Sequence, residues 1–379
     1  MISRSKSLIS KVKIKNIPLL NRGAVCFYIA VYANFLLTRK GKIDIIKPNT
    51  NKERQYTKML LYPLKLSYIA KNALWGGKKL LKEWNKQTDD ETIAETWELS
   101  VRDNEMATIQ NGEAVGMTLK EYISVCGAQC VSSSYALETP FPLLVKFIDA
   151  NDRLSVQVHP DDIYAKDLEN DVGKTEMWYI ADAEPNANII CGLRDGVSVD
   201  DFKKAVIDGK TSDVLRTVPV KKGDSFFIPA GLVHAIGAGV LIAEIQQNSD
   251  LTYRVFDYDR IGADGKKRPL HVEKALAVTR AWSDAERDSV AFERGKTSSD
   301  GELLANSKYF SVVKKNLSSS STLTVSKDSF VHLLCVGGNG SVISNGTVYP
   351  ITRGDSYFLP ANLGKVTLSG DLELIISRI

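Results

Sequence analysis

Apolar and polar residues alternate along most of this chain with a period of two, and only short stretches carry the three-to-four spacing of an amphipathic helix. Leu61 to Ile69 and Glu95 to Ser100 predict strands, separated by a turn at Ala73-Leu74-Trp75-Gly76-Gly77 and a short helix from Lys78 to Trp84. Thr118 followed by Glu121 predicts a capped helix start. Ser198 to Gly209 reads as a second capped helix that ends in glycine, and Arg268 to Arg280 as a third. The central stretch from Leu143 to Ile180 predicts one strand up to a break at Pro160-Asp161-Asp162, then a second strand. The serine run Ser318 to Ser321 predicts a loop, and Phe226-Phe227 and Tyr357-Phe358 predict core.

Polar residues inside these strands carry the chemistry. Residues two apart in a strand face the same way, so Gln157 and His159 project together, and Glu176 stands alone in the next apolar strand. Such groups in a run rich in Val, Ile and Trp cost free energy unless something pairs with them. An imidazole nitrogen, an amide oxygen and a carboxylate are ligands for a divalent metal. His234, at a strand start after a Pro-Ala-Gly turn, supplies a fourth, so Gln157, His159, Glu176 and His234 are the expected metal site.

The chain also repeats itself. Lys222-Gly-Asp-Ser-Phe-Phe-Ile-Pro-Ala-Gly returns as Arg353-Gly-Asp-Ser-Tyr-Phe-Leu-Pro-Ala-Asn, and at that offset His234 falls on Lys365. The second copy keeps the turn and the strand but lacks the histidine. This self-similarity predicts a mainly β protein of two jelly-roll barrels with a few short helices, one barrel catalytic and one structural.

Residues 1–58 hold 13 Lys+Arg against 2 Asp+Glu, a net of +11, and leave 36 against 43 in the remainder, a net of −7. The overall charge of +4 is therefore no nucleic-acid signal for the whole chain. The apolar run Ala24 to Leu37 would rise about 21 Å as a helix, short of a bilayer's hydrocarbon core. The expectation is a poorly ordered leader upstream of a true start at Met59, with a membrane-associating extension as second choice, and no membrane partner for the catalytic body. The five scattered cysteines, Cys126 and Cys130 among them, fit free thiols in a reducing cytoplasm.

The segments Q-x-H-P-D-D, K-T-E-M-W-Y and G-D-x-F-x-I-P-A-G-x-x-H, with E-I-Q-Q-N-S-D-L-T-Y-R from Glu244 to Arg254, resemble the type I mannose-6-phosphate isomerases (phosphomannose isomerases) in their short bacterial form, a cupin family. The resemblance covers roughly Met59 to Ile379, with a catalytic cupin domain at 59–290 and a metal-free cupin-like domain at 291–379. It implies interconversion of mannose 6-phosphate and fructose 6-phosphate through a cis-enediol, with one Zn2+ per chain and a hexose 6-phosphate as partner, in a monomer or homodimer. It points to Glu244 and Arg254 as acid/base and charge-stabilising groups with Asp250 nearby, while a zinc-bound water competes as base. It places Lys146, Ser155 and Lys174 in the sugar-phosphate pocket, Lys174 also as a catalytic candidate, and gives Trp75 a wall. Ser155 shares a face with Gln157, and Lys174 with Glu176. His271 and His332 are expected to be structural. Two other readings stand beside this one: a cupin oxygenase, which would want a histidine where Gln157 stands, and a sugar-phosphate sensor without turnover.

Overall fold

The computed structural model describes residues 61–102, 105–262, 265–291 and 294–379, which fall within one compact unit from Met59 to Ile379. The basic leader and its apolar run lie outside the described residues. Among those described, no helix is long and apolar enough to cross a membrane.

In chain order the first strands are β1 (Leu64–Lys65), β2 (Ile69–Lys71), β3 (Glu95–Leu99) and a short ribbon of β4 (Val101–Arg102) and β5 (Glu105–Met106). Next come β6 (Leu143–Ala150), β7 (Val156–Val158), β8 (Glu176–Ala183), β9 (Asn188–Leu193), β10 (Leu215–Pro219), β11 (Ser225–Ile228), β12 (His234–Ile236), β13 (Val240–Gln247) and β14 (Tyr253–Phe256). They form two facing antiparallel sheets, one ordered β11-β8-β13-β6-β3-β2 and the other β10-β9-β12-β7-β14. A third sheet of nine strands collects β1 and everything from β15 (Thr297–Ser298) to β22 (Gly364–Arg378).

The six-stranded sheet is buried on both faces, which is why all eight positions of β6 and of β13 are inaccessible. Val145, Phe147, Met177, Tyr179, Ala243 and Ile245 point one way, into a cluster with Phe310, Phe330 and Phe358 of the C-terminal sheet. Ile148, Trp178, Ile180 and Ile242 point the other way, toward Ile189, Cys191 and Ile236 of the five-stranded sheet. Between these two sheets lies the site.

The internal repeat survives as geometry. β11 and β21 (Ser356–Leu359) stand 131 residues apart, and each follows the same turn. Asp224 accepts from the Lys221 amide at 2.9 Å, and Asp355 from the Thr352 amide at 2.9 Å. Gly223 and Gly354 take φ of 95° and 92°, a region closed to most side chains. Lys365, at the position equivalent to His234, is exposed. The capping boxes at Thr118 and Ser198 form as the sequence predicts.

Four expectations need correction, and one helix went unpredicted. The stretch from Leu61 to Ile69 is not one strand: β1 leaves to pair with β21, Leu64 opposite Phe358, because Leu64 is needed in the core between the sheets. The stretch from Leu143 to His159 is not one strand either; the Asn151 and Asp152 amides turn onto the Trp75 carbonyl, and β7 crosses to the opposite sheet. Asp161 does not merely break a strand but caps a helix, Asp162–Glu169, by accepting from the Tyr164 amide at 2.9 Å. A further helix at Asp284–Val290, capped by Ser283, follows the one at Val272–Val278. Ser320 and Ser321 belong to a strand, Ser320–Val325, because its partner β22 runs on far enough to pair with them.

Candidate active site

Register sets the polar row on the five-stranded sheet. His234 on β12 lies opposite Gln157 on β7, and Gln157 lies opposite Arg254 on β14. Cross-strand partners share a face, so His234, Gln157 and Arg254 line up across three strands, with His159 one step along. The facing six-stranded sheet places Glu244 on β13 between Trp178 on β8 and Lys146 on β6, and Lys146 opposite Trp97 on β3. Glu176 stands two residues before Trp178, on the same face.

His159, Glu176 and His234 converge from both sheets, with donor atoms within 4.8 Å of one another. The His159 Nδ1 contacts the Leu251 carbonyl at 2.7 Å and the His234 Nδ1 contacts the Leu232 carbonyl at 2.8 Å. A carbonyl only accepts, so both protons sit on Nδ1 and both Nε2 atoms present lone pairs. Those two Nε2 atoms are 3.1 Å apart. Facing lone pairs at that distance repel unless a cation lies between them. Carbonyl-anchored Nδ1 with Nε2 directed inward is how metal-bound histidines are held.

Burial keeps both rings neutral. It holds the His234 imidazole down at about 3, and it holds His159 well below its ordinary value with help from the Lys174 charge. Glu176 is fully buried, and neither carboxylate oxygen has a hydrogen bond of good geometry. The charge it meets is the Lys174 ammonium at 2.7 Å, which also touches the His159 Nε2 at 2.9 Å. Two neutral imidazoles and an under-satisfied carboxylate fit a divalent cation, with the half-buried Gln157 beside them as an amide donor.

Adjoining this group is a second one. Lys146 is buried between Glu95 at 3.4 Å and Glu244 at 3.5 Å, with its ammonium 5.0 Å from the Trp97 ring centroid. Burial opposes its charge, but the two carboxylates outweigh burial and raise its pKa. Burial, then the charge of Glu176, push the Glu244 carboxyl up. Its Oε1 accepts from the Trp178 Nε1 at 3.0 Å.

Arg254 stands beside Gln157 on the five-stranded sheet. Its Nε donates to the buried Ser155 hydroxyl at 3.2 Å and its Nη1 to the Pro269 carbonyl at 2.9 Å. Asp250 is exposed beyond the end of β13, and its charge reaches Lys146. Trp75 is buried in the apolar cluster that also holds Ile148, Ala150, Leu154 and Trp178, beside the Gly76–Ala150 bridge. Glu95, Trp97 and Trp178 were not singled out from the sequence; the Glu95/Trp97 alternation on a buried strand was the available signal. His271 accepts from the Arg254 amide at 3.2 Å, and His332 lies in the C-terminal sheet.

Residues 63–195 match the phosphomannose isomerase type I catalytic domain, and residues 301–379 match the mannose-6-phosphate isomerase cupin domain. A mannose-6-phosphate isomerase of Bacillus subtilis is 39% identical over 327 residues, covering 85% of this chain and all of the relative. One from Streptococcus mutans is 35% identical over 316 residues, covering 83% of this chain and 98% of the relative. The crystal structure of the mannose 6-phosphate isomerase from B. subtilis superposes with a TM-score of 0.77 at 32% identity, covering 84% of this chain and 99% of that one.

Proposed function

Because this chain belongs to the type I phosphomannose isomerase family, we propose that it interconverts mannose 6-phosphate and fructose 6-phosphate. The observation that carries this is the juxtaposition of the inward-facing His159, His234 and Glu176 with the buried Glu244–Lys146 pair. Aldose and 2-ketose differ by one proton moved between C2 and C1 and one moved between their oxygens. The residues needed are a base that reaches both carbons and cations that hold the charge developing on the oxygens.

Gln157, His159, Glu176 and His234 would hold one Zn2+ per chain. Bound there, zinc supplies a Lewis acid that polarises the sugar's carbonyl and hydroxyl oxygens. Glu244 removes the C2 proton of the open-chain aldose, leaving a cis-enediolate with its charge on O1. A proton passes from the 2-hydroxyl to O1 through the cis-enediol, and the protonated Glu244 returns its proton at C1 to give the ketose. A carboxyl raised by burial suits both halves of that transfer. Arg254 stabilises the enediolate charge. Lys146, the buried Lys174 and Ser155, and the exposed Asp250 orient the sugar and its phosphate, whose charge of close to −2 demands converging cations. Glu95 and Trp97 hold Lys146 in place.

We place the enzyme in the cytoplasm: Cys126, Cys130, Cys191 and Cys335 are all buried free thiols. Isomerisation of fructose 6-phosphate in deuterated water tests the reaction. Mannose 6-phosphate carrying deuterium at C2 is the expected product; unchanged substrate would overturn the assignment.

A further inference from the structure

Trp178 is fully buried on the inner face of β8, between the two halves of the site. Its Nε1–H donates to Glu244 Oε1 at 3.0 Å. The edge of its ring meets the His234 imidazole at 81°, with centroids 5.3 Å apart. The two carboxylate oxygens of Glu244 are thereby made unequal. Oε1 has a directional donor, whereas the buried Oε2 has no hydrogen bond and only the Lys146 ammonium at 3.5 Å.

We propose that Trp178 is a positioning residue for proton transfer, and that Glu244 Oε2 is the oxygen that takes the proton. This rests on the isomerase reading above and deepens it. An indole N–H donates and cannot accept, so it stabilises the carboxylate form and fixes the side-chain rotamer. One oxygen is tied back toward β8 and the lone pairs of the other are left for the substrate. A phenol or amide in the same place could switch its hydrogen-bonding role; an indole cannot. The same ring packs against His234, so it sets the spacing between the base and the metal ligands. Its methionine and tyrosine neighbours, Met177 and Tyr179, point to the opposite face and have no part in this.

The test uses the zinc-loaded full chain with Trp178→Phe and with 3-benzothienylalanine incorporated at the same position, which keeps the bicyclic shape and lacks the N–H. Both substitutions are expected to lower kcat by about 10- to 100-fold, the range for a lost hydrogen bond to a buried charge. KM should change by less than about threefold, and zinc content should stay at one per chain. Independently of turnover, the indole 15N–1H resonance of Trp178 should move when Glu244→Gln replaces the charged acceptor by a neutral one. Full kcat in the benzothienyl protein, or an indole resonance indifferent to Glu244→Gln, would overturn the proposal. Loss of zinc in parallel with kcat would also overturn it, because the ring would then act through His234. A wild-type chain that does not isomerise hexose 6-phosphates would overturn the functional reading itself, and is measured before any variant.

Discussion

The Tyr309 hydroxyl, carried by the C-terminal sheet domain, donates a 2.6 Å hydrogen bond to Asp162 Oδ2 at the start of the helix that follows His159. The other oxygen of Asp162 accepts from the Gly173 amide at 3.1 Å and from the Gln247 side chain at 2.9 Å. Gln247 in turn accepts from the Thr175 amide at 2.9 Å. The loop that presents Lys174 is thus gripped on both sides of that lysine. Gly173 has to be glycine, since a Cβ there would lie 2.5 Å from the Asp162 amide nitrogen.

Tyr309→Phe is therefore expected to loosen Lys174 without unfolding the protein. Asp162 is about two-fifths exposed, so the bond is discounted to about 1 kcal/mol, or about a fivefold rise in KM for mannose 6-phosphate. Asp162→Ala combined with it should be less than additive. Unchanged KM in the single variant would show that the C-terminal domain does not support the loop through this bond.

On the proposed mechanism, Arg254→Ala removes the charge that stabilises the enediolate. Steady-state kinetics should show kcat reduced by roughly 10² or more, with zinc content kept. Circular dichroism should stay native, because among the described residues the Arg254 side chain makes single hydrogen bonds, to Ser155 and to the Pro269 carbonyl. Loss of the fold or of metal would instead make Arg254 a structural residue.

His332 offers a pH test far from the chemistry. Its Nε2–H donates to the Ser356 hydroxyl at 2.8 Å, that hydroxyl donates onward to the Glu98 carbonyl at 2.9 Å, and Nδ1 is buried without a partner. Burial holds this imidazole down at about 3 against an ordinary 6.5. Below pH 6.5 the unfolded chain takes up a proton that the folded chain refuses. Stability is then lost as pH falls from about 6.5 toward 3, with a slope of up to about 1.4 kcal/mol per unit. His159 and His234 are held down in the same way, so His332→Leu should reduce, by one histidine's share, the slope of urea unfolding midpoints measured at pH 7 and pH 5. An identical slope in both proteins would place the titration elsewhere.

Period-two alternation fixes which side chains share a face, so Gln157 and His159 were legible as one row; that His159 and His234 meet Glu176 depends on register and on the packing of two sheets. Trp178 and Trp97 were not legible, for the opposite reason. Their strands are buried on both sides, so an indole that bonds Glu244 or shields Lys146 looks like one more core residue. Which face of β8 meets Glu244 is decided by register with β13, a pairing of residues 66 apart in the chain. The helix after Asp161 was hidden because Pro160 and Asp161 are equally good at ending a strand and at starting a helix.

Zinc at the Gln157, His159, Glu176 and His234 group is the claim on which the rest depends. The direct measurement is the rate of mannose 6-phosphate isomerisation after exhaustive chelation, followed by titration with zinc. Turnover is expected to vanish and to return in full at one equivalent per chain, with His234→Ala unable to recover it. Metal-free protein that isomerises at the untreated rate would contradict the account.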